Sequence, residues 1–95
     1  MVTGELEVPM NTEEIKMTIQ KSLPDAEIHV RDPHGDGQHF EAFVASAAFE
    51  GMPIIKQHRL VLGSLKVAFK ESVHALALKT FTPEKWQTEK SAYGI

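Results

Sequence analysis

The chain has 95 residues, of which 42% are hydrophobic, and a formal charge of −3 with histidine neutral. This length fits one domain with a modest core, and the absence of cysteine excludes disulfides and thiolate metal ligands from this chain. The net negative charge argues against general affinity for nucleic acid. The chain lacks an apolar run of about twenty residues, which predicts a soluble protein. We expect this protein in the reducing cytoplasm.

The N-terminal part of the chain divides into a tail and a helix. Residues 1–10 mix glycine, proline and acidic residues without periodicity, which predicts a flexible tail ahead of a domain spanning residues 11–95. Asn11 can cap a helix, with Glu14 three positions later as in a capping box, and Pro24 prevents the helix from continuing. The buried face of this helix is predicted to contain Ile15, Ile19 and Leu23.

A β-hairpin is predicted next. Apolar and polar residues alternate over residues 26–31, which is typical of a half-buried strand. A dense turn signal follows over residues 33–37, and alternation resumes over residues 40–44 in the returning strand. His34 lies in the turn and His39 opens the returning strand, so both histidines belong to this end of the hairpin.

Two helical segments should follow the hairpin. Ser46 can cap a short helical turn, and Pro53 suits the first position of a longer helix that runs to about Phe69. The apolar stripe of the longer helix is predicted to contain Val61, Leu62, Leu65 and Phe69.

The C-terminal part contains a strand and a short helix. Residues 73–80 are apolar and strand-like, and Thr82 with Pro83 begins a brief helix that carries Trp86, the only tryptophan. The helices before this strand make a parallel crossover possible. The element order therefore predicts an α+β single domain with a three-stranded mixed sheet and helices packed on one face.

Four segments of the chain together resemble the BolA family in their order and spacing. They are GDGQHF (35–40), SAAFEGM (46–52), QHRLV (57–61) and HALALKTFTPEKW (74–86). The resemblance extends over residues 11–90 and implies a fold similar to the type II K-homology arrangement.

The resemblance also implies a function and a site. Proteins of this family pair with monothiol glutaredoxins around a two-iron, two-sulfur cluster, in cluster trafficking or the regulation of iron homeostasis. Their ligands are a histidine of the last strand, His74 in this chain, and a histidine or cysteine of the hairpin loop. Asp36 stands where some relatives have cysteine, and His34 and His39 lie on either side of it, so both are candidates for the second ligand. The isolated chain is expected to be a monomer without a cofactor.

The chemistry of a shared cluster suits this composition. Neutral imidazole is a good ligand for iron, and a chain without thiols needs cysteine sulfur from its partner and from glutathione. Histidine ligation reduces the negative charge of the cluster and makes binding sensitive to protonation of the rings. We therefore expect acid to release the cluster, or at least its histidine side.

Each candidate ligand also has a structural interpretation. His74 alternates with Leu76 and Leu78 on one strand face, where a histidine is more often a core or edge residue than a ligand. His34 and His39 can be solvated residues of the turn. A mononuclear zinc site made of His34, His39 and His74 is a further alternative, which nothing in the spacing requires.

A DNA-binding transcriptional regulator is the alternative function. Lys56, His58, Arg59 and Lys66 can place positive charge along the long helix, although a solvated helix face is the more ordinary explanation. Residues 50–53 hold one glycine and an acidic residue, which disfavours the G-x-x-G phosphate clamp of RNA-binding K-homology domains. No nucleophile with an adjacent base, phosphate-binding glycine loop or H-E-x-x-H pattern occurs, so we do not expect an enzyme.

Overall fold

The computed structural model describes residues 11–35, 39–69 and 76–95, with side chains except at residues 67–69. The predicted tail of residues 1–10 lies outside these ranges. The helices are α1 (Thr12–Ser22), α2 (Ile54–Phe69) and α3 (Pro83–Glu89), the strands are β1 (Glu27–Arg31), β2 (Phe40–Ala45) and β3 (Leu76–Phe81), and two 3-10 turns cover Ala47–Phe49 and Lys90–Tyr93. Among the helices of residues 11–35, 39–69 and 76–95, none has the length and hydrophobicity of a membrane-spanning segment.

The predicted capping residues begin their helical segments. The side chain of Asn11 accepts the backbone N–H of Glu14 at 2.8 Å. Ser46 and Thr82 cap the first 3-10 turn and α3 in the same way. The carbonyl of Pro53 accepts two amides of the first turn of α2, so this helix begins one residue later than predicted.

The sheet has the strand order β1-β2-β3. β1 and β2 are antiparallel, with Ile28 opposite Val44, whereas β2 and β3 are parallel, with Phe40 opposite Leu76. α2 lies between the two parallel strands in the chain and forms their crossover. The predicted three-stranded mixed sheet is confirmed, and the part of the predicted strand at residues 73–75 lies outside the described ranges.

The larger core lies between the sheet and the two long helices. Ile15 and Ile19 of α1 and Val61 and Leu65 of α2 are all 0% exposed, as their spacing predicts. They pack with apolar residues on one face of the sheet, namely Ile28, Phe40 and Val44. α1 and α2 therefore cover the same face of the sheet.

The third helix packs on the opposite face, which corrects the prediction that all helices share one face. Trp86 of α3 is buried against Phe43, Ala45 and Phe81, with 4.9 Å between its ring centroid and that of Phe81. Successive residues of β2 point to alternate faces, so Phe43 and Ala45 point away from α1 and α2. The physical reason is that β2 is apolar on both faces except at Glu41. The second apolar face must also be buried, and α3 packs against it.

A buried hydrogen bond joins β3 to α2. The hydroxyl of Thr80 donates to Oε1 of Gln57 at 2.6 Å, and Nε2 of Gln57 donates to the carbonyl of Met52 at 2.7 Å. Thr80 and Gln57 are both buried. Gln57 therefore fixes the start of α2 relative to the sheet.

Loss of the Thr80 hydroxyl should destabilise the fold. We expect Thr80→Val to lower the free energy of unfolding by about 1–3 kcal/mol, because Oε1 of Gln57 loses its donor while it stays buried. Urea denaturation measures this change. The exposed Thr88→Val serves as the control and should change stability by less than about 0.5 kcal/mol. Equal stabilities of Thr80→Val and the wild type would contradict the role of this bond.

Glu27 and His29 form a partly exposed pair beside Trp86. Nε2 of His29 lies 2.9 Å from Oε2 of Glu27, and the rings of His29 and Trp86 are 5.6 Å apart. The hydrogen bond with His29 lowers the pKa of Glu27 below its ordinary value of 4.5. The indole N–H of Trp86 acts in the same direction, although it makes no hydrogen bond of standard geometry.

This pair predicts a small dependence of stability on pH. A carboxyl group with a lowered pKa stabilises the fold above its unfolded-state pKa, and the contribution is lost as the pH falls through the folded-state value. Glu27→Gln should therefore reduce the fall in Tm between about pH 6 and about pH 3. The reduction should be modest, because the pair of Glu27 and His29 is partly exposed. Thermal melts at both pH values provide the measurement. A fall as large as that of the wild type would rule out the contribution of Glu27.

Candidate functional site

Two histidines face each other at the end of the β1–β2 hairpin. The ring centroids of His34 and His39 are 5.5 Å apart, and the ring planes are nearly perpendicular, at 85°. Both residues are exposed. Because an imidazole nitrogen is a ligand for iron and zinc, this accessible pair is a candidate contributor to a metal centre.

The hairpin turn positions the two histidines. The carbonyl of Asp32 accepts the amide of Gly35 at 3.1 Å, and Gly35 has a φ of 64°, in the left-handed region that favours glycine. His34 lies inside this turn, whereas His39 directly precedes the first residue of β2. Asp36, which lies between the two histidines in the sequence, lies outside the described ranges.

The first residue of β3 lies beside this end of the hairpin. Leu76 is opposite Phe40 in the parallel register, so it neighbours the residue that follows His39. His74, the ligand predicted from the last strand, precedes Leu76 by two residues and lies outside the described ranges. The structure thus brings His34 and His39 together and does not describe the third predicted ligand.

A mononuclear site is not assembled by the described residues alone. Within residues 11–35, 39–69 and 76–95, no group of three or more His, Asp or Glu side chains could hold a metal ion. The alternative zinc site of His34, His39 and His74 stays a prediction, because one of its three members lies outside these ranges.

The basic residues of α2 form a narrower patch than the sequence predicted. Lys56, Arg59 and Lys66 are exposed, and at about 100° per residue they fall within about 80° of the helix circumference. The exposed apolar side chain of Ile55 lies on the same side. His58 is half-buried and points to another side of the helix. Three of the four predicted residues therefore share a solvent-exposed face.

Sequence reasoning missed a groove between α2, β3 and α3. It has a volume of about 540 Å³, and its walls include Met52, Ile54, Lys79 and Lys85. The sequence signal for this groove was Ile54, which lies two helical turns before Val61 and extends the apolar stripe of α2 toward its N-terminus. The side chain of Ile54 is nevertheless 57% exposed. The stripe is therefore longer than the part of α2 that packs on the sheet.

This chain is similar to known proteins over a region that includes the hairpin, α2 and β3. A family model described as BolA-like protein matches residues 10–85. The acid stress protein IbaG of Escherichia coli (strain K12) is 30% identical over 87 residues, which cover 90% of this chain and 100% of that protein. The DNA-binding transcriptional regulator BolA of Vibrio cholerae is 32% identical over 76 residues, or 80% of this chain and 71% of that protein. The structure of a BolA homologue from Coxiella burnetii has a TM-score of 0.69 and 37% identity, and the match covers 82% of this chain and 97% of that one.

Proposed function

This chain belongs to the BolA-like family, and from that premise we propose that it binds a monothiol glutaredoxin and shares a two-iron, two-sulfur cluster with it in the cytoplasm. In this proposal His74 and one histidine of the hairpin, His39 or His34, are the ligands from this chain. The complex serves cluster trafficking or the regulation of iron homeostasis. The protein acts as an adaptor and not as an enzyme.

The observation that carries the proposal is the exposed histidine pair at the hairpin end. A ligand shared between two proteins must reach beyond its own surface, and His34 and His39 are both exposed residues with their rings 5.5 Å apart. The pairing of Phe40 with Leu76 sets the start of β3 at the same end of the sheet. In the sequence, His74 precedes Leu76 by two residues.

The metal-binding side chains of this chain suit a cluster shared with another protein better than a cluster bound by this chain alone. Iron–sulfur clusters are held mainly by cysteine thiolates, and this chain contains no cysteine. The remaining ligands therefore have to come from the glutaredoxin and from glutathione. The bound cluster supplies a redox-active, transferable iron centre, while the histidines of this chain hold one side of it.

His39 and His34 differ in how firmly the fold holds their backbone. His39 adjoins Phe40, which is buried and paired with Leu76. His34 is held by the turn bond between Gly35 and Asp32. Single alanine variants distinguish them, because only the variant that removes the true second ligand should alter the spectrum of the shared cluster.

The proposal is tested by mixing purified components. Glutaredoxin is reconstituted with iron, sulfide and glutathione, and this protein is then titrated in while the visible absorption and circular dichroism spectra are recorded. We expect a saturable spectral change that is complete at one equivalent of this protein per glutaredoxin. An unchanged glutaredoxin spectrum throughout the titration would refute the proposal.

A DNA-binding regulator is the second candidate function. The relative from Vibrio cholerae is named a DNA-binding transcriptional regulator, and Lys56, Arg59 and Lys66 share an exposed face of α2. Binding through these side chains would release counterions, so the logarithm of the binding constant should fall with the logarithm of salt concentration with a slope of about −3. Absence of a shift with duplex DNA at low salt would remove this candidate.

A further inference from the structure

The groove between α2, β3 and α3 lies away from the histidine pair. Its wall on β3 includes Leu78 and Thr80, and Thr80 is four residues, or about 13 Å of strand, beyond Leu76. His34 and His39 are not among the described residues that line it. The groove is therefore a binding surface separate from the histidine pair.

The edge of β3 that no described strand pairs with forms one wall of this groove. In the described sheet β3 pairs with β2 alone, and the carbonyl of Phe81 accepts the amide of Ser46 at 3.0 Å, at the end of β2. Backbone groups of successive strand residues point to alternate sides, so those of Leu78 and Thr80 point away from β2. A strand edge of this kind can pair with the backbone of another extended chain.

The side chains that line the groove supply an apolar contact and positive charge. Ile54 is 57% exposed and Met52 is half-buried, so an incoming apolar side chain can bury surface against them. Lys79 and Lys85 are exposed, and neither forms an ion pair with a described residue, whereas Glu89 is the single acidic residue of the described walls. The groove thus carries two cations and one anion in a chain whose formal charge is −3.

We propose that this groove binds an extended acidic peptide segment of another protein, which adds to the sheet as a strand beside β3. The outward-pointing backbone groups of β3, first those of the half-buried Leu78, recognise the peptide backbone, and Lys79 and Lys85 recognise its carboxylates. Single-stranded nucleic acid fits less well, because its backbone lacks the alternating N–H and C=O groups that a strand edge pairs with.

A designed peptide tests the proposal directly. The probe is a fluorescent peptide of about eight residues that alternates valine and glutamate, with blocked termini. We expect saturable binding by fluorescence anisotropy, with NMR shifts of the Leu78 and Thr80 amides. A peptide with lysine in place of glutamate should bind at least about tenfold more weakly, and one with alternate backbone nitrogens methylated should not bind.

Two charge-reversed variants locate the site. Lys79→Glu/Lys85→Glu should weaken binding at least about tenfold, whereas Lys16→Glu/Lys21→Glu, which makes the same charge change on α1, should leave it within about twofold. The proposal would be overturned if both variants weakened binding equally, if the methylated peptide bound undiminished, or if the glutamate peptide did not bind.

Two other occupants of the groove would also overturn the proposal. Tighter binding of octathymidylate at Leu78 and Thr80 would assign the groove to nucleic acid. Concentration-dependent dimerisation through β3 would assign it to a second copy of this chain.

Discussion

His74→Ala should strongly reduce the spectral change that one equivalent of this protein produces in a cluster-loaded glutaredoxin. The proposal gives His74 a direct bond to iron, and this chain has no thiol to replace it. Removal of even an outer-sphere partner of a metal ligand commonly costs about 10–100-fold in affinity, so loss of the ligand itself should weaken joint cluster binding at least about tenfold.

Matched variants separate loss of the ligand from loss of the fold. His58→Ala removes a half-buried imidazole from α2, away from the hairpin, and should leave the titration unchanged. His74→Cys supplies a thiolate and should restore cluster binding with an altered spectrum. Far-ultraviolet circular dichroism establishes that each variant is folded. Identical titrations for His74→Ala and the wild type would exclude His74 as a ligand.

Trp86→Ala should cause the largest loss of stability of any single substitution considered for this protein. The indole is 1% exposed and contacts the aromatic rings of Phe81 and Phe43, at 4.9 and 6.1 Å between centroids. Its removal leaves a cavity between α3 and the sheet, and such substitutions cost about 3–5 kcal/mol. Urea denaturation should show this loss as a lower midpoint.

The control for this substitution is an exposed apolar residue. Met17 of α1 is 51% exposed, so Met17→Ala should change stability by less than about 0.5 kcal/mol. Trp86→Phe keeps most of the packing and should lie between the two variants. A loss below about 1 kcal/mol for Trp86→Ala would mean that α3 is not needed to cover this face of the sheet.

Local sequence signals predicted most of the fold because they act through short-range chemistry. Asn11, Ser46 and Thr82 accept hydrogen bonds from amides two or three residues ahead, so their role depends on little else. The spacing of Ile15 and Ile19 likewise fixes which face of α1 is buried.

The position of α3 depends on long-range packing and was not predicted. A helix of seven residues with one buried side chain shows no periodicity that selects a face of the sheet. The sequence pattern that indicates a second buried face lies in β2. There Phe43 and Ala45 alternate with Phe40 and Val44, so both faces of the strand are apolar. Reading β2 as a two-sided strand would have placed Trp86 correctly.

The candidate site was predicted in part. The turn signal around Gly35 predicted that His34 lies in the turn and that His39 opens the returning strand, and both residues occupy these positions in the structure. His74 and Asp36 stay predictions, because they lie outside the described ranges. The groove depends on how α2 overhangs the edge of β3, which is a tertiary relationship that the local pattern around Ile54 does not specify.

Pulsed electron paramagnetic resonance of the reduced shared cluster is the most direct test of histidine ligation. This protein is labelled with ¹⁵N at histidine only, and the glutaredoxin and glutathione are left unlabelled. We expect ¹⁵N hyperfine couplings from coordinated imidazole, one of which disappears in His74→Ala. A reduced cluster without ¹⁵N coupling in the wild-type complex would contradict the account, since every ligand would then come from the partner and glutathione.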